Sequence, residues 1–361
     1  MKNFLISNAN IFRPDYKFQK GDIKISNGII VDELNDDYEI IDAENLFVIP
    51  GLTDIHFHGC AGHDFCEGTE EAFKAILDYE KSIGVTTMSP ATMTLPIQKL
   101  IQIIGEAKNF GNFSGIYLEG PFISKLKIGA QNPKYISKPD TEILEKFRGF
   151  IKIAVIAPEI EGGFEFIEDA KNITRLSLGH SNSNYETAAK AFNSGVSQVT
   201  HLYNAINPIN HREPGAIIAA LENENVKVEL ICDGVHIHPA IVKNTIKIFG
   251  DDRVIFISDS MEATGMPDGE YELGGQKVIK TGNKAMLEDG KTIAGSVTNL
   301  FDCMKNSVLN MNVKLETAVK CAAVNSAKAI GIYENYGSIE AGKTANLIAL
   351  DKNLNRVWVL S

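Results

Sequence analysis

Leu52-Thr53-Asp54-Ile55-His56-Phe57-His58-Gly59 is the stretch that decides how this chain is read. On an extended strand, successive side chains face opposite sides, so residues two apart share a face. His56 and His58 then present two imidazoles to one side and leave Ile55 and Phe57 on the other. Two neutral imidazoles converging on one point suit a divalent transition metal.

Working outward, seven further strand-like runs follow at regular intervals. They are Val85–Ala91, Gly115–Glu119, Lys152–Ala157, Thr174–His180, Gln198–Tyr203, Lys227–Asp233 and Val254–Asp259. Amphipathic segments lie between most of them. Thr69-Glu70-Glu71 opens one, with acids in its first turn, and Gly84 stops it. Leu95–Phe110, Tyr185–Phe192, Ala216–Asn223 and Ala240–Phe249 are others. Eight alternating β and α units predict an α/β fold, a (β/α)₈ TIM-like barrel over residues 51–334. A doubly wound sheet explains the count less well.

Residues 270–295 interrupt the alternation with a Gly-rich, strand-like insertion, and helices are expected around Ser296–Leu309 and Leu315–Ile330. Residues 1–50 and 335–361 read as short strands and turns. The two ends are expected to pair into a small β-sandwich domain.

The 361 residues are 44% hydrophobic and 22% charged, an ordinary globular composition. The net charge of -11 comes without any Lys/Arg-rich run, which argues against a nucleic-acid partner. The five cysteines, Cys60, Cys66, Cys232, Cys303 and Cys321, have no zinc-ribbon spacing and suit a reducing cytoplasm. Met1–Phe12 holds no apolar stretch of signal-peptide or membrane-span length, so a cytoplasmic protein with no membrane partner is expected.

In a barrel, functional groups sit at the carboxyl ends of the strands. That rule sorts the candidates. His56 and His58 end strand 1, Glu119 ends strand 3, His180 ends strand 5 and His201 lies in strand 6. Asp233 and His236 follow strand 7, and Asp259 ends strand 8. With Glu119 as a bridge, His56 and His58 can hold one metal while His180 and His201 hold a second. Asp259 is left free for proton transfer. Such a set, supplying an activated water, is a hydrolase site for an amide or similar carbonyl.

The chain resembles the amidohydrolase superfamily, and within it the N-acetylglucosamine-6-phosphate deacetylases. The resemblance rests on Pro50–Gly59, Leu118–Phe122, Gly129–Pro133, Leu178–Asn182, Thr200–Asn207, Arg212–Gly215, Asp233–His236, Ser258–Gly265 with Pro267-Asp268-Gly269, Ala294–Ser296 and Gly337–Lys343, in family order along the chain. It implies Glu119, His180 and His201 as metal ligands and His56 and His58 as ligands of a second ion. The cofactor is then one or two divalent ions, with zinc or iron(II) favoured over manganese or cobalt. It further implies Asp259 as the catalytic acid/base and His236 as a contact of the sugar or the acetyl carbonyl. Asn204 and Ala205 are implied as phosphate contacts, and Arg212 as a phosphate contact given to the neighbouring subunit of a homodimer. Ser296, at a helix start, would line the acetyl pocket. The implied partner is a small phosphorylated amino sugar.

One position departs from the pattern. Gln131 stands where the family usually carries a substrate-contacting histidine, and an amide donates a hydrogen bond but cannot become cationic. The galactosamine epimer, or another N-acyl amino sugar phosphate, is therefore the alternative substrate. A cyclic-amide hydrolase is a weaker reading: it calls for a lysine ending strand 4, where this chain has Ala157-Pro158-Glu159. A binding protein on an inactive scaffold would have lost Asp259 or a ligand, and all are present. Cys60, His63 and Asp64 are read as loop residues, His211 as interface or phosphate environment, His238 as surface and Trp358 as packing.

Overall fold

A computed structural model describes residues 3–34 and 37–361. Its centre is an α/β architecture built on a curled parallel sheet. Strands Ile116–Leu118, Ile151–Ile156, Arg175–Leu178, Val196–Val199, Lys227–Ile231 and Val254–Ile257 lie side by side in chain order. Leu52–Asp54 pairs in parallel with Val85–Met88. Ala91 bridges that pair to Tyr117 of the six-stranded sheet. At the other end, Asp259 N–H donates to His56 O at 3.0 Å and His58 N–H to Ser260 O at 2.7 Å. Those bonds tie the segment after the first strand to the segment after the last.

Both faces of the sheet are dry, which is why its strands read as near-continuous apolar runs. Inside, Ile55, Tyr117, Ile153, Val155, Ile231, Ile255 and Ile257 pack together. Outside, the helices cover it. Helix Glu70–Ser82 shows the local logic: Thr69 caps it by accepting from Ala72 N–H, and Phe73, Ile76 and Leu77 form its buried stripe. The helices expected near residues 95–110, 185–192, 216–223 and 240–249 run Ile97–Phe110, Tyr185–Ser194, Gly215–Glu222 and Pro239–Phe249.

The strand boundaries need correction. The first strand ends at Asp54, so His56 and His58 lie on an irregular extension of it. The sixth begins at Val196 and ends at Val199, leaving His201 beyond it. In both places the backbone leaves the ladder to bond elsewhere, His58 N–H to Ser260 and His201 N–H to the Glu229 side chain. The helix expected from Ser296 begins at Leu300, capped by Asn299.

The insertion is a three-stranded antiparallel sheet, Gly269–Leu273, Gln276–Thr281 and Lys284–Leu287. Leu273, Val278 and Ala285 pack it onto Met93, Met261 and Ala294. Both chain ends meet in another sheet. Phe4–Phe12 pairs antiparallel with Phe18–Ser26 and in parallel with Glu39–Asp42 and Phe47–Pro50. Leu347–Leu350 then pairs antiparallel with Phe47–Pro50, and Arg356–Leu360 with Leu347–Leu350. Ile6, Ile11, Ile23, Ile25, Val48 and Leu347 give this sheet an apolar core of its own. No helix among the described residues is long and apolar enough to cross a membrane.

Candidate metal centre

Chain segments leaving the curled sheet at its carboxyl rim bring five candidate ligands together, and all five are buried. His56, His58 and Glu119 form one group of mutually close ligand atoms; Glu119, His180 and His201 form the other. Glu119 belongs to both. Its Oε1 lies 2.9 Å from His201 Nε2, 3.1 Å from His180 Nε2 and 3.4 Å from His56 Nε2. Its Oε2 lies 3.2 Å from His58 Nε2. Asp259 Oδ1 stands 3.3 Å from His58 Nε2 and 3.7 Å from His56 Nε2.

Two imidazoles are held in a defined tautomer. His56 Nδ1 meets Glu229 Oε2 at 2.9 Å, and His180 Nδ1 meets the Lys127 carbonyl at 2.9 Å. Both partners accept only, so each Nδ1 carries a hydrogen, and in the neutral ring each Nε2 keeps its lone pair. Tyr117 stacks on the His56 ring at 4.2 Å. In that neutral form the nitrogens repel a carboxylate oxygen across 3.1 and 3.4 Å unless a cation lies between. The donor set therefore fits one or two divalent ions of the zinc, iron, manganese or cobalt kind.

Without such an ion, protons on the rings take its place. Burial drives Glu119 upward, yet the charge of His56 and hydrogen bonds from His180 and His201 hold it well below the usual carboxylate range. Asp259 is held down against burial by His58 first and then by the charge of His56. His58 rises to about 9, its interactions with Asp259 and Glu119 outweighing the burial that pushes it down. The charges of Glu119 and Glu229 raise His56 in the same manner. The cluster draws positive charge.

Its backbone is strained. His180, His201, Tyr203, Ala205 and Asp259 have φ of 47°, 27°, 81°, 50° and 49°. Each non-glycine residue in that region costs of order 1–3 kcal/mol and persists only where its surroundings over-determine it. Here Ser296 N–H holds the Asp259 carbonyl at 2.7 Å, and Ser181 N–H holds the Ala205 carbonyl at 3.1 Å.

A cavity of about 290 Å³ opens over the centre. His58, Glu119, His180, His201 and Asp259 line its floor, and Gln131, Asn204, Ala205 and His236 its walls. His236 Nδ1 sits 2.7 Å from Asp233 Oδ2, an oxygen that accepts the ring hydrogen and leaves Nε2 free. Asn204 Nδ2 donates to the His201 carbonyl at 3.2 Å. The insertion contributes Leu273, and the turn after it contributes Lys291, Thr292 and Ile293.

Not every expected residue is there. Ser296 does not line the cavity; Gly295 does, and the Ser296 hydroxyl turns into its own turn, accepting from Thr298 N–H at 2.9 Å. Arg212 is exposed, in a separate hollow with Asn184 and Asn207. His238 is exposed as expected and also caps helix Pro239–Phe249. Asp64 caps the turn Phe65–Glu67, and Cys60 is buried in a two-residue strand. Glu229, fully buried in strand Lys227–Ile231, is a functional residue outside the expected set.

The model of the amidohydrolase family matches residues 47–360. The chain belongs to the amidohydrolase family. Among curated relatives of this amidohydrolase is an N-acetylglucosamine-6-phosphate deacetylase of Bacillus subtilis, 34% identical over 321 residues, covering 85% of this chain and 81% of the relative. An N-acetylgalactosamine-6-phosphate deacetylase of Escherichia coli O157:H7 is 28% identical, covering 93% of each chain. A solved N-acetyl-D-glucosamine-6-phosphate deacetylase from Mycobacterium smegmatis, a mutant in complex with N-acetyl-D-glucosamine-6-phosphate, superposes with a TM-score of 0.93 at 29% identity, over 100% of this chain and 98% of that one.

Proposed function

We propose that this amidohydrolase removes the N-acetyl group from N-acetylglucosamine 6-phosphate, giving acetate and glucosamine 6-phosphate. One observation carries the reading: two histidine pairs share Glu119, with the Asp259 carboxylate 3.3 Å from His58, beneath a cavity of about 290 Å³. A divalent ion held by His56, His58, Glu119, His180 and His201 would polarise the acetyl carbonyl and make water ionisable near neutral pH.

The chain's residues do the rest. Asp259 takes a proton from the attacking water as the oxygen–carbon bond forms. It returns the proton to nitrogen as the carbon–nitrogen bond breaks, because an amine anion does not leave. His236, oriented by Asp233, directs Nε2 at the carbonyl or the sugar. Asn204 and Ala205 face the phosphate, and Arg212 grips the phosphate of a neighbouring protomer's substrate in a homodimer. A guanidinium suits that task through paired hydrogen bonds. Its exposure away from its own cavity supports giving it to a partner. Full activity from a monomer in solution would exclude that arrangement.

Residues 51–334 are assigned to a (β/α)₈ TIM-like barrel, and residues 1–50 plus 335–361 to a small β-sandwich domain. The separate apolar core of the terminal sheet supports that division. Five unpaired cysteines support a cytoplasmic location.

The test is acetate release from N-acetylglucosamine 6-phosphate, its galactosamine epimer and the unphosphorylated sugar, by stripped protein reloaded with zinc or iron(II). Fast, metal-dependent turnover of the first is expected. The resemblance to the Escherichia coli enzyme makes the epimer the second reading, and preference for it would move the assignment there. No turnover of any of them with metal bound would overturn the deacetylase reading.

A further inference from the structure

Gln131 lies in the cavity wall, yet its side chain is 3% exposed and its hydrogen bonds are already committed. Thr94 N–H donates to its Oε1 at 2.7 Å, and its Nε2 donates to Glu119 Oε2 at 2.7 Å. The orientation is unambiguous. A backbone N–H only donates, so the amide oxygen must face Thr94 and the amino group must face the carboxylate. The same Nε2 lies 3.8 Å from the Met93 sulfur. Little capacity is left for a substrate.

The support behind Gln131 is also built. Its own N–H donates to Ile128 O at 2.9 Å. The carbonyl of the preceding Ala130 accepts from Gln276 of the insertion at 2.5 Å. A chain of contacts thus runs from the insertion, through the loop, to the second oxygen of the shared carboxylate.

We propose that Gln131 is a positioning residue for Glu119. It fixes the rotation of the carboxylate so that Oε1 faces His180 and His201 while Oε2 faces His58, and it does so with a donor that does not titrate. This inference rests on the metal-centre reading above. Its consequence is that Gln131 governs how tightly the centre holds its ions, not how tightly the substrate binds.

The experiment measures zinc affinity and stoichiometry by competition with a chromophoric chelator, beside kcat and KM, for wild type, Gln131→Leu and Gln131→Asn. Leucine keeps the bulk and removes the donor; asparagine keeps the amide but is too short to span Thr94 and Glu119. Both are expected to bind zinc about 10–100-fold more weakly, with KM for the phosphosugar within about twofold of wild type. Melting of the metal-free variants reports folding, and either variant alone suffices. Zinc affinity within about twofold of wild type overturns the proposal; a KM raised about tenfold beside it would make Gln131 a substrate contact. Wild type that binds no zinc would instead remove the metal-centre reading itself.

Discussion

The two halves of the centre share a carboxylate but are built differently. In the half formed by His180 and His201, both imidazoles converge on one oxygen, Glu119 Oε1, at 3.1 and 2.9 Å. In the half formed by His56 and His58, the contacts divide between Oε1 at 3.4 Å and Oε2 at 3.2 Å, and Asp259 approaches both rings. One half is a compact three-ligand set. The other is spread out and joined to the proposed acid/base. Under the proposed mechanism, holding an ion and presenting it to the chemistry would fall to different pairs of histidines.

The largest expected effect separates chemistry from holding. Asp259→Asn should lower kcat by about 10²–10⁴-fold while zinc content stays at the wild-type value. Loss of zinc along with activity would make Asp259 a ligand instead. Next come the histidines: His201→Asn should cost the compact half its ion, whereas His58→Asn should keep one zinc there. Equal losses in the two variants, measured by elemental analysis, would erase the distinction between the halves. Glu229→Gln is expected to weaken zinc by about tenfold, the lower end for an outer hydrogen-bond partner, chiefly in the His56 half. A uniform weakening would mean that its bond to His201 N–H, at 3.0 Å, matters as much as its bond to the His56 ring.

The smallest effect is a control away from both halves. Burial pushes the Glu80 carboxyl well above its ordinary range, and Asp54 pushes it further. The folded chain keeps a proton that the unfolded chain releases above about pH 4.3. Stability from this group is present below that pH and falls as pH rises. Glu80→Gln should therefore gain on metal-free wild type between about pH 5 and pH 8, by roughly 2 °C in Tm. A gap that shrinks with rising pH would contradict the sign.

The sequence shows the curled sheet because strands dry on both faces cannot hide their apolar runs, and histidines beside those runs stand out. It shows strand ends less well. His56 and His58 look like strand residues because alternation continues through Ile55 and Phe57, although pairing stops at Asp54. Glu229 escapes because Lys227-Val228-Glu229 has the alternation of a solvent-facing edge, and only the enclosing fold makes its burial compulsory. The commitment of Gln131 to Thr94 and Glu119 depends on residues 37 and 12 positions away, contacts that no local pattern encodes. The insertion looks like an interruption of the barrel, yet Leu273 reaches the cavity wall.

The sheet that joins the two ends has a consequence for how the molecule is made. Phe47–Pro50 presents one edge to Phe4–Phe12 and the other to Leu347–Leu350. About 300 residues separate those partners, so at about 5–20 residues per second the second edge waits roughly 15–60 s on the ribosome. Until then it is an open strand edge of the kind that recruits other chains. Leu347–Leu350, made long after Phe47–Pro50, is what closes it, and Arg356–Leu360 then pairs with Leu347–Leu350 on its far side.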